Sequence, residues 1–252
     1  MSNTTYEKLK SMHLGAMAQA YQQQLSDPQM ERLTFEERLA MLADIEYTSR
    51  KNHRLDRLVK QATFDQPQAH LAEIDYAPRR ELNRNLVLRL GSCDFISDAR
   101  NIIIMGAAGS GKTYLACAFG MEACKQFYGV KFARMPSLLE DFHLAEAAGT
   151  LRKLYKEYAK VSLLILDDWM LVKLTAEESR FIYEIVHRRH KNASTVYCSQ
   201  FAPVGWHQRI SEETLADAIL DRIVYDSYTI EIKGQSDMPS MREKYGLRQA
   251  RS

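Results

Sequence analysis

The chain has 252 residues, of which 46% are hydrophobic and 26% are charged, and its formal net charge is +2. This composition is typical of a globular protein with one sizeable core and a small extension, and so small a net charge indicates no particular partner. No apolar run approaches the ~20 residues of a membrane span, and the N-terminal residues lack the apolar core of a signal peptide, so we expect a cytoplasmic protein with no membrane partner.

The first third of the chain has the periodicity of α-helices. Apolar residues recur at helical spacing from Tyr6 to Tyr21, and this pattern breaks at Ser26-Asp27-Pro28. Thr34-Phe35-Glu36-Glu37 has the form of a capping box, which marks the start of a second helix. The sequence therefore predicts a small all-helical N-terminal domain over residues 1–65.

A run of basic residues lies within the second predicted helix. The stretch RKNHRLDRLVK, from Arg50 to Lys60, contains five basic residues and one acidic residue. Arg50, Arg54 and Arg57 share one face of that helix. A solvated helix surface explains such a run. The alternative is a stripe that contacts phosphate groups.

Beyond Pro78 the pattern changes to strands that alternate with helices. Such alternation predicts a parallel β-sheet with helices on both faces, and therefore an α/β domain over residues 66–252. The predicted strands are Asn101–Met105, Val130–Arg134, Val161–Leu166, Ser194–Ser199 and Tyr228–Ile232.

The sequence GAAGSGKT, residues 106–113, lies between the first of these strands and a predicted helix. In that context the glycines let successive backbone N–H groups converge on phosphate oxygens at the start of the helix. Lys112 would reach the β- and γ-phosphates, and the Thr113 hydroxyl would bind Mg²⁺. We therefore predict a triphosphate-binding loop. The residues expected to contact the nucleotide are Gly106, Ala107, Ala108, Gly109, Ser110, Gly111, Lys112, Thr113 and Tyr114.

Two carboxylates, Asp167 and Asp168, end another apolar strand. The carboxyl end of a parallel strand lies at the edge of the sheet that carries the phosphate loop, so Asp167 is predicted to bind the magnesium ion. Asp168 is predicted to polarise the water that attacks the γ-phosphate. The simpler alternative for both residues is a helix N-cap.

The order of the strands in the sequence is typical of P-loop ATPases in which an additional strand separates the phosphate-loop strand from the acidic strand. A polar residue at the end of that additional strand would touch the attacking water. Ser199 and Gln200 are the candidates. Polar residues also occur by default where a strand turns into a loop.

Five separated motifs follow one another between residues 106 and 246: GAAGSGKTYLACAFG, LLILDDW, CSQFAPVGWH, LADAILDRIV and SMREKYG. Together they resemble the IstB-type transposition helper ATPases, which are relatives of the DnaC and DnaI helicase loaders in the AAA+ superfamily. Trp169 and the run from Ser199 to His207 favour the transposition branch. The sequence departs from the family pattern at Met170, where glycine is usual, at Cys198, where threonine is common, and in the longer segment GQSDMPSMR.

The resemblance implies a P-loop AAA+ ATPase that hydrolyses ATP with Mg²⁺. It also implies a homo-oligomer that assembles on double-stranded DNA, deforms it and presents it to a partner transposase, with the N-terminal domain serving assembly, DNA contact or both. In this superfamily the nucleotide lies between subunits. Arg222 matches the arginine that completes a neighbour's site, although an ion pair with Asp217 or Asp221 is an alternative. Arg242 matches the second sensor arginine.

Arg152 and Lys153, together with Lys156, offer a second candidate surface for DNA contact, and a solvated helix explains them equally well. Further basic residues that could contact DNA phosphates are Lys51, Arg79, Arg80 and Arg84. Two rival classes of function remain. A small-metabolite or nucleotide kinase would need several lid arginines near an acceptor pocket and would not need the helical N-terminal third. A replicative helicase loader is the closer rival. Stimulation of the ATPase by single-stranded rather than double-stranded DNA would distinguish it.

Overall fold

The computed structural model of the protein describes residues 2–233. The chain divides into two compact units, Met1–Arg57 and Leu58–Ser252, and the division falls within a long helix, Phe35–Ala62. The predicted domain boundary after residue 65 lies slightly further along the chain, beyond the end of that helix.

The first unit is helical, and its first helix is shorter than the sequence predicts. The helices are α1 (Ser2–Ser11), α2 (Gly15–Ser26), a 3₁₀-helix (Pro28–Arg32) and α3 (Phe35–Ala62), the last of which crosses into the second unit. The prediction of one continuous helix from Tyr6 to Tyr21 is wrong. The helix is interrupted at His13, which has a φ of 59° in the left-handed region, and a right-handed helix does not continue through such a residue.

The predicted capping box at the start of α3 is confirmed. The Glu37 backbone N–H donates to Thr34 Oγ1 at 3.3 Å, and the Thr34 backbone N–H donates to Glu37 Oε2 at 2.8 Å. This reciprocal pair satisfies two N–H groups that the helix start otherwise leaves unpaired. Four consecutive residues are therefore sufficient to set the start of the longest described helix.

The described part of the second unit contains one five-stranded parallel sheet. The strands are β1 (Asn101–Gly106), β2 (Val130–Arg134), β3 (Leu163–Asp167), β4 (Ser194–Ser199) and β5 (Ser227–Ile232). Their spatial order is β2-β3-β4-β1-β5. This order confirms that β4 separates the phosphate-loop strand β1 from the acidic strand β3. The carboxyl ends of all three strands therefore meet at one edge of the sheet.

β3 begins two residues later than the apolar pattern predicts. The carbonyl of Val161 accepts a hydrogen bond from the guanidinium of Arg189 at 2.9 Å and does not join the sheet. β3 and β4 are buried along their whole length, which explains why β3 is a continuous apolar run rather than an alternating pattern.

Helices cover both faces of the sheet. Leu164 and Leu166 of β3 belong to a core cluster on one face, whereas Ile165 packs towards the other face. No helix within residues 2–233 has both the length and the apolar character needed to cross a membrane. The helices of this unit are α4 (Arg84–Leu90), α5 (Asp94–Ser97), α6 (Lys112–Lys125), α7 (Met135–Ala147), α8 (Leu151–Lys160), α9 (Ala176–Arg189), α10 (Pro203–His207) and α11 (Glu213–Val224), with 3₁₀-helices at Leu71–Glu73 and Pro78–Arg80.

Candidate active site

The predicted phosphate loop connects β1 to α6 by a tight turn. Gly111 has a φ of 93°, a conformation that residues with a side chain rarely adopt. Gly106 is required for a different reason, because a Cβ there would lie 2.6 Å from the carbonyl oxygen of Ile232 and 2.7 Å from Ser110 Oγ. The loop is therefore packed against the end of the neighbouring strand β5, and its backbone is fixed at both ends.

Lys112 is buried within this loop, with 8% of its surface exposed. Its ammonium group donates to the carbonyl oxygens of Gly106 at 2.9 Å and Ala107 at 2.8 Å. A buried ammonium needs such partners, since burying an unsolvated charge is costly. These contacts keep a positive charge at the centre of the loop.

The start of α6 adds further groups that suit an anion. The first backbone N–H groups of an α-helix have no partner within the helix, and the helix dipole favours negative charge at this end. The hydroxyl of Ser110, which precedes α6, is buried and has no hydrogen-bond partner in the described part of the chain. A buried hydroxyl without a partner is uncommon in folded proteins. The loop therefore has the donors and the charge that a triphosphate needs.

Asp167 lies beside the first turn of α6. The Thr113 hydroxyl donates to Asp167 Oδ2 at 2.8 Å, although the two residues are 54 positions apart in the sequence. Only 6% of Asp167 is exposed. Burial raises the pKa of its carboxyl group above the ordinary value, and the hydrogen bond from Thr113 partly opposes that shift. Hydroxyl and carboxylate oxygens are ligands that Mg²⁺ prefers, so this pair fits the predicted metal site.

Asp168 is held by an arginine that the sequence does not single out. Its φ is 53°, a left-handed conformation that aspartate tolerates better than most residues. Arg134, at the end of β2, donates to Asp168 Oδ2 from Nε at 3.0 Å and from Nη2 at 2.6 Å. The register of the sheet explains the contact, because Arg134 pairs with Asp167 across β2 and β3. A basic residue at the end of the neighbouring strand is the signal that could have identified it.

Ser199 has a structural role, which corrects its assignment as a candidate for contacting the attacking water. It is 1% exposed. Its hydroxyl donates to the carbonyl of Trp169 at 2.9 Å and accepts from Trp206 Nε1 at 3.0 Å. The hydroxyl is therefore fully engaged in joining the ends of β3 and β4. Gln200, the next residue, is exposed and remains the predicted polar contact.

The segment before the sheet also contacts the phosphate loop. Arg80 is 5% exposed, and it donates to the carbonyl of Ser110 from Nη2 and to the carbonyl of Asp75 from Nη1 at 3.3 Å. The hydroxyl of Tyr114 donates to Glu73 Oε2 at 2.8 Å. The expectation that Arg80 contacts DNA phosphates is therefore wrong, because its side chain is buried and supports the phosphate loop.

Arg222 lies on α11, and its guanidinium is partly buried. It donates to the carbonyl of Ala218 at 2.7 Å and lies over the ring of Tyr183 at 5.3 Å from the ring centre. Among the described residues it forms no ion pair with Asp217 or Asp221, which removes the simplest alternative to a role at a neighbouring site. Arg242 lies outside the described residues.

The predicted DNA-contacting residues differ in their surroundings. Arg50 forms an ion pair with Glu46 at 2.8 Å and donates to the carbonyl of His13 at 2.9 Å, so it also stabilises the N-terminal unit. Six other candidates are exposed: Lys51, Arg54, Arg57, Arg84, Arg152 and Lys153.

A family model described as IstB-like ATP binding protein matches residues 7–246. A protein of Sinorhizobium fredii, named as an insertion sequence ATP-binding protein, is 36% identical over 94% of this chain and 95% of its own. A protein of Pseudomonas fluorescens, named for ATP binding in insertion sequence IS1162, is 37% identical over 79% of this chain and 87% of its own.

Solved structures agree with the fold. The crystal structure of DnaI has a TM-score of 0.58 at 23% identity and covers 66% of this chain and 91% of its own. AMPPCP-bound DnaA from Aquifex aeolicus has a TM-score of 0.57 at 21% identity and covers 70% of this chain and 52% of its own. The described sheet and its helices are thus a P-loop AAA+ fold. With the phosphate loop and the family match over most of its length, the chain belongs to the family of IstB-like ATP binding proteins.

Proposed function

We propose that this protein is an ATP-hydrolysing transposition helper, which assembles on duplex target DNA, deforms it and presents it to a partner transposase. The proposal that ATP is hydrolysed rests on one observation: Thr113, Asp167 and Asp168 lie together beside the phosphate loop. The insertion sequence relatives support the transposition part.

In the proposed reaction, Lys112 and the N–H groups at the start of α6 hold the β- and γ-phosphates of ATP. Thr113 and Asp167 would hold Mg²⁺, which when bound neutralises charge on those phosphates. Asp168 orients a water molecule and accepts its proton as the water oxygen bonds to the γ-phosphorus. The bond to the β,γ-bridging oxygen breaks, and ADP and phosphate are the products.

Assembly would complete the site. Arg222 lies on α11, whereas the catalytic carboxylates end β3, and within residues 2–233 it makes no contact with the phosphate loop. An arginine supplied by a neighbouring subunit would stabilise charge on the transferred phosphoryl group. We therefore propose that hydrolysis depends on an oligomer, in which the Arg222 guanidinium of one subunit faces the phosphate loop of the next.

Contact with DNA would be made mainly to its phosphates. The candidate residues are arginines and lysines on exposed helix surfaces, and such contacts position a protein without reading the base sequence. A rigid ATP-bound array could impose its own curvature on the duplex, at a cost of order 1–6 kcal/mol per 20–30 base pairs that added phosphate contacts offset. Hydrolysis would loosen the array and release the DNA.

Fluorescence anisotropy tests the proposal. Unrelated labelled duplexes and single strands are titrated with protein in the presence of a non-hydrolysable ATP analogue, ADP or no nucleotide, and an end-to-end energy-transfer assay reports bending. We expect tight, sequence-independent binding to duplexes and bending only with the ATP analogue. Lys112→Ala is the control that should behave as the nucleotide-free protein. A preference for single strands would instead support a helicase loader, and affinity indifferent to nucleotide would contradict the proposal.

A further inference from the structure

A groove of about 520 Å³ runs beside α8 and is lined almost entirely by cations. Its lining residues are Arg152, Lys156, Ala159, Lys160 and Arg188. Three of the four cations lie on α8 at intervals of four residues, and the fourth lies on α9. At a rise of 1.5 Å per residue, the three positions on α8 are about 6 Å apart along the helix axis. The groove therefore carries a row of positive charges that runs along α8 at an incline to the helix axis.

The orientation of this row is fixed by the core. Tyr158 is 2% exposed and belongs to the core cluster, and three further residues of α8 pack against that cluster at helical spacing. With this face turned inward, Arg152, Lys156 and Lys160 are exposed to solvent. The apolar residues that pack against the cluster are Leu151, Leu154 and Tyr155.

The carboxyl end of α8 is held rigidly. Arg189 is 2% exposed, and its guanidinium donates to the carbonyl oxygens of Tyr158 at 2.8 Å and Val161 at 2.9 Å. The preceding residue, Arg188, forms an ion pair with Glu184 at 2.5 Å and lies over the ring of Tyr155 at 5.1 Å from its centre. The backbone at the end of α8 and the side chain of Arg188 are therefore held in place.

The charges on α8 are not neutralised within the described structure. Lys131 pairs with Glu157 at 2.7 Å, but within residues 2–233 Arg152, Lys156 and Lys160 form no ion pair. Like charges four residues apart on a helix repel one another and destabilise the helix slightly. A row of unpaired like charges on a rigid helix therefore suits an extended polyanion that supplies the missing charge.

We infer that this groove binds the phosphate backbone of duplex DNA, an inference that rests on the proposed function. Its lining contains no aromatic side chain on which a base could stack, and no side-chain amide that could read a base edge. The groove therefore suits phosphates held at regular spacing and not single-stranded bases. Lys153, on the same helix, is exposed and does not line the groove. Of these two adjacent residues, Arg152 therefore contacts the DNA and Lys153 remains solvated.

The test compares matched variants by fluorescence anisotropy on a labelled duplex over a salt series, with the non-hydrolysable ATP analogue present. Removing three phosphate contacts per subunit should weaken binding roughly tenfold or more and reduce the steepness of log K against log salt by about 2–3 per bound subunit, since each contact contributes about 0.9. The triple variant is Arg152→Gln with Lys156→Gln and Lys160→Gln. Lys156→Gln alone should reduce the slope by about 1.

Lys173→Gln is the control, because it removes one exposed lysine charge outside the groove. It should leave the salt slope unchanged, and Lys156→Arg should keep the wild-type slope. Equal losses for Lys173→Gln and Lys156→Gln, or an unchanged slope in the triple variant, would overturn the inference. Nucleotide affinity and circular dichroism report whether each variant is folded. If the triple variant does not fold, the single variants provide the test. If the wild-type protein bound no duplex at all, the proposed function itself would fail.

Discussion

Arg134 and Asp168 form an ion pair at the centre of the candidate site. Two nitrogens of the guanidinium donate to the same carboxylate oxygen, at 2.6 and 3.0 Å. An oxygen that accepts two such bonds is not available to take a proton from water. The ion pair therefore restrains the carboxylate proposed to activate the water, and it leaves Oδ1 as the oxygen that could take the proton.

Arg134→Ala should raise the ATPase rate measured without DNA by several-fold and reduce the stimulation that DNA produces. The effect should be modest, because the arginine side chain is 54% exposed and exposed pairs are weak. Steady-state phosphate release measures both rates. Lys131→Ala is the control, because Lys131 lies on the same strand as Arg134 and forms a comparable ion pair, with Glu157. A fall in the basal rate of Arg134→Ala alone would indicate that the arginine assists the reaction instead.

Asp168→Asn should leave ATP affinity intact and slow hydrolysis by roughly 100-fold or more, because the amide cannot accept the proton of water. Asparagine keeps the shape and tolerates a left-handed φ, so the backbone at this position should be unaffected. Calorimetry measures binding, and single-turnover phosphate release measures chemistry. Turnover near the wild-type rate would show that another group, with Gln200 the first candidate, orients the water.

Burial of the Asp167 carboxylate should lower the thermal stability of the nucleotide-free protein at neutral and higher pH. Burial raises the pKa of this carboxyl group in the folded protein, so the protonated form is favoured by folding, and the associated stability is lost as pH rises above the ordinary value. Asp167→Asn removes the buried negative charge. We expect it to raise the thermal midpoint of the nucleotide-free protein at pH 7 and above.

The same substitution should abolish the additional stabilisation that Mg²⁺ with ATP gives over ATP alone, because a metal ligand is lost. Thermal unfolding at pH 5 and pH 8, with and without nucleotide and metal, measures both effects. Thr113→Val is the comparison, since it removes the hydroxyl and leaves the buried charge. If Asp167→Asn had a lower thermal midpoint than the wild-type protein at pH 8, the buried charge of Asp167 would not destabilise the fold.

Local patterns predicted the fold well because each depends on neighbours in the sequence. The capping box of Thr34 and Glu37 needs four residues, and the predicted bounds of β2 and β4, which rest on short local runs of strand-forming residues, agree with the structure. The sequence also predicts that Asp167 approaches Thr113, because the carboxyl ends of parallel strands meet at one edge.

Contacts that depend on register or packing could not be predicted in this way. Arg134 meets Asp168 only because β2 and β3 pair in one register, and Arg80 reaches Ser110 from a segment without a regular pattern. The break at His13 gives no signal in the apolar periodicity, which continues through it. Ser199 is polar at a strand end, and only the packing of Trp206 shows that its hydroxyl is already engaged.

Arg222 offers the most demanding test, because a role across a subunit boundary can be separated from a local one. Its guanidinium lies on the ring of Tyr183 and, within the described residues, pairs with neither nearby aspartate. Arg222→Ala should therefore bind ATP normally and lose hydrolysis by roughly 1000-fold, the range expected for an arginine supplied in trans. Lys112→Ala should instead lose tight nucleotide binding, because its loop lacks the charge that holds the phosphates.

Mixing the two inactive proteins completes the test. In a mixed assembly, some sites combine an intact phosphate loop from an Arg222→Ala subunit with an intact Arg222 from a Lys112→Ala subunit. Such sites should hydrolyse ATP, so activity should return in the mixture and rise with the fraction of mixed contacts. Arg222→Lys provides a matched control, since a lysine keeps the charge but lacks the planar fork of donors and should restore little. If stable mixed assemblies form without any recovery, the arginine acts within its own subunit.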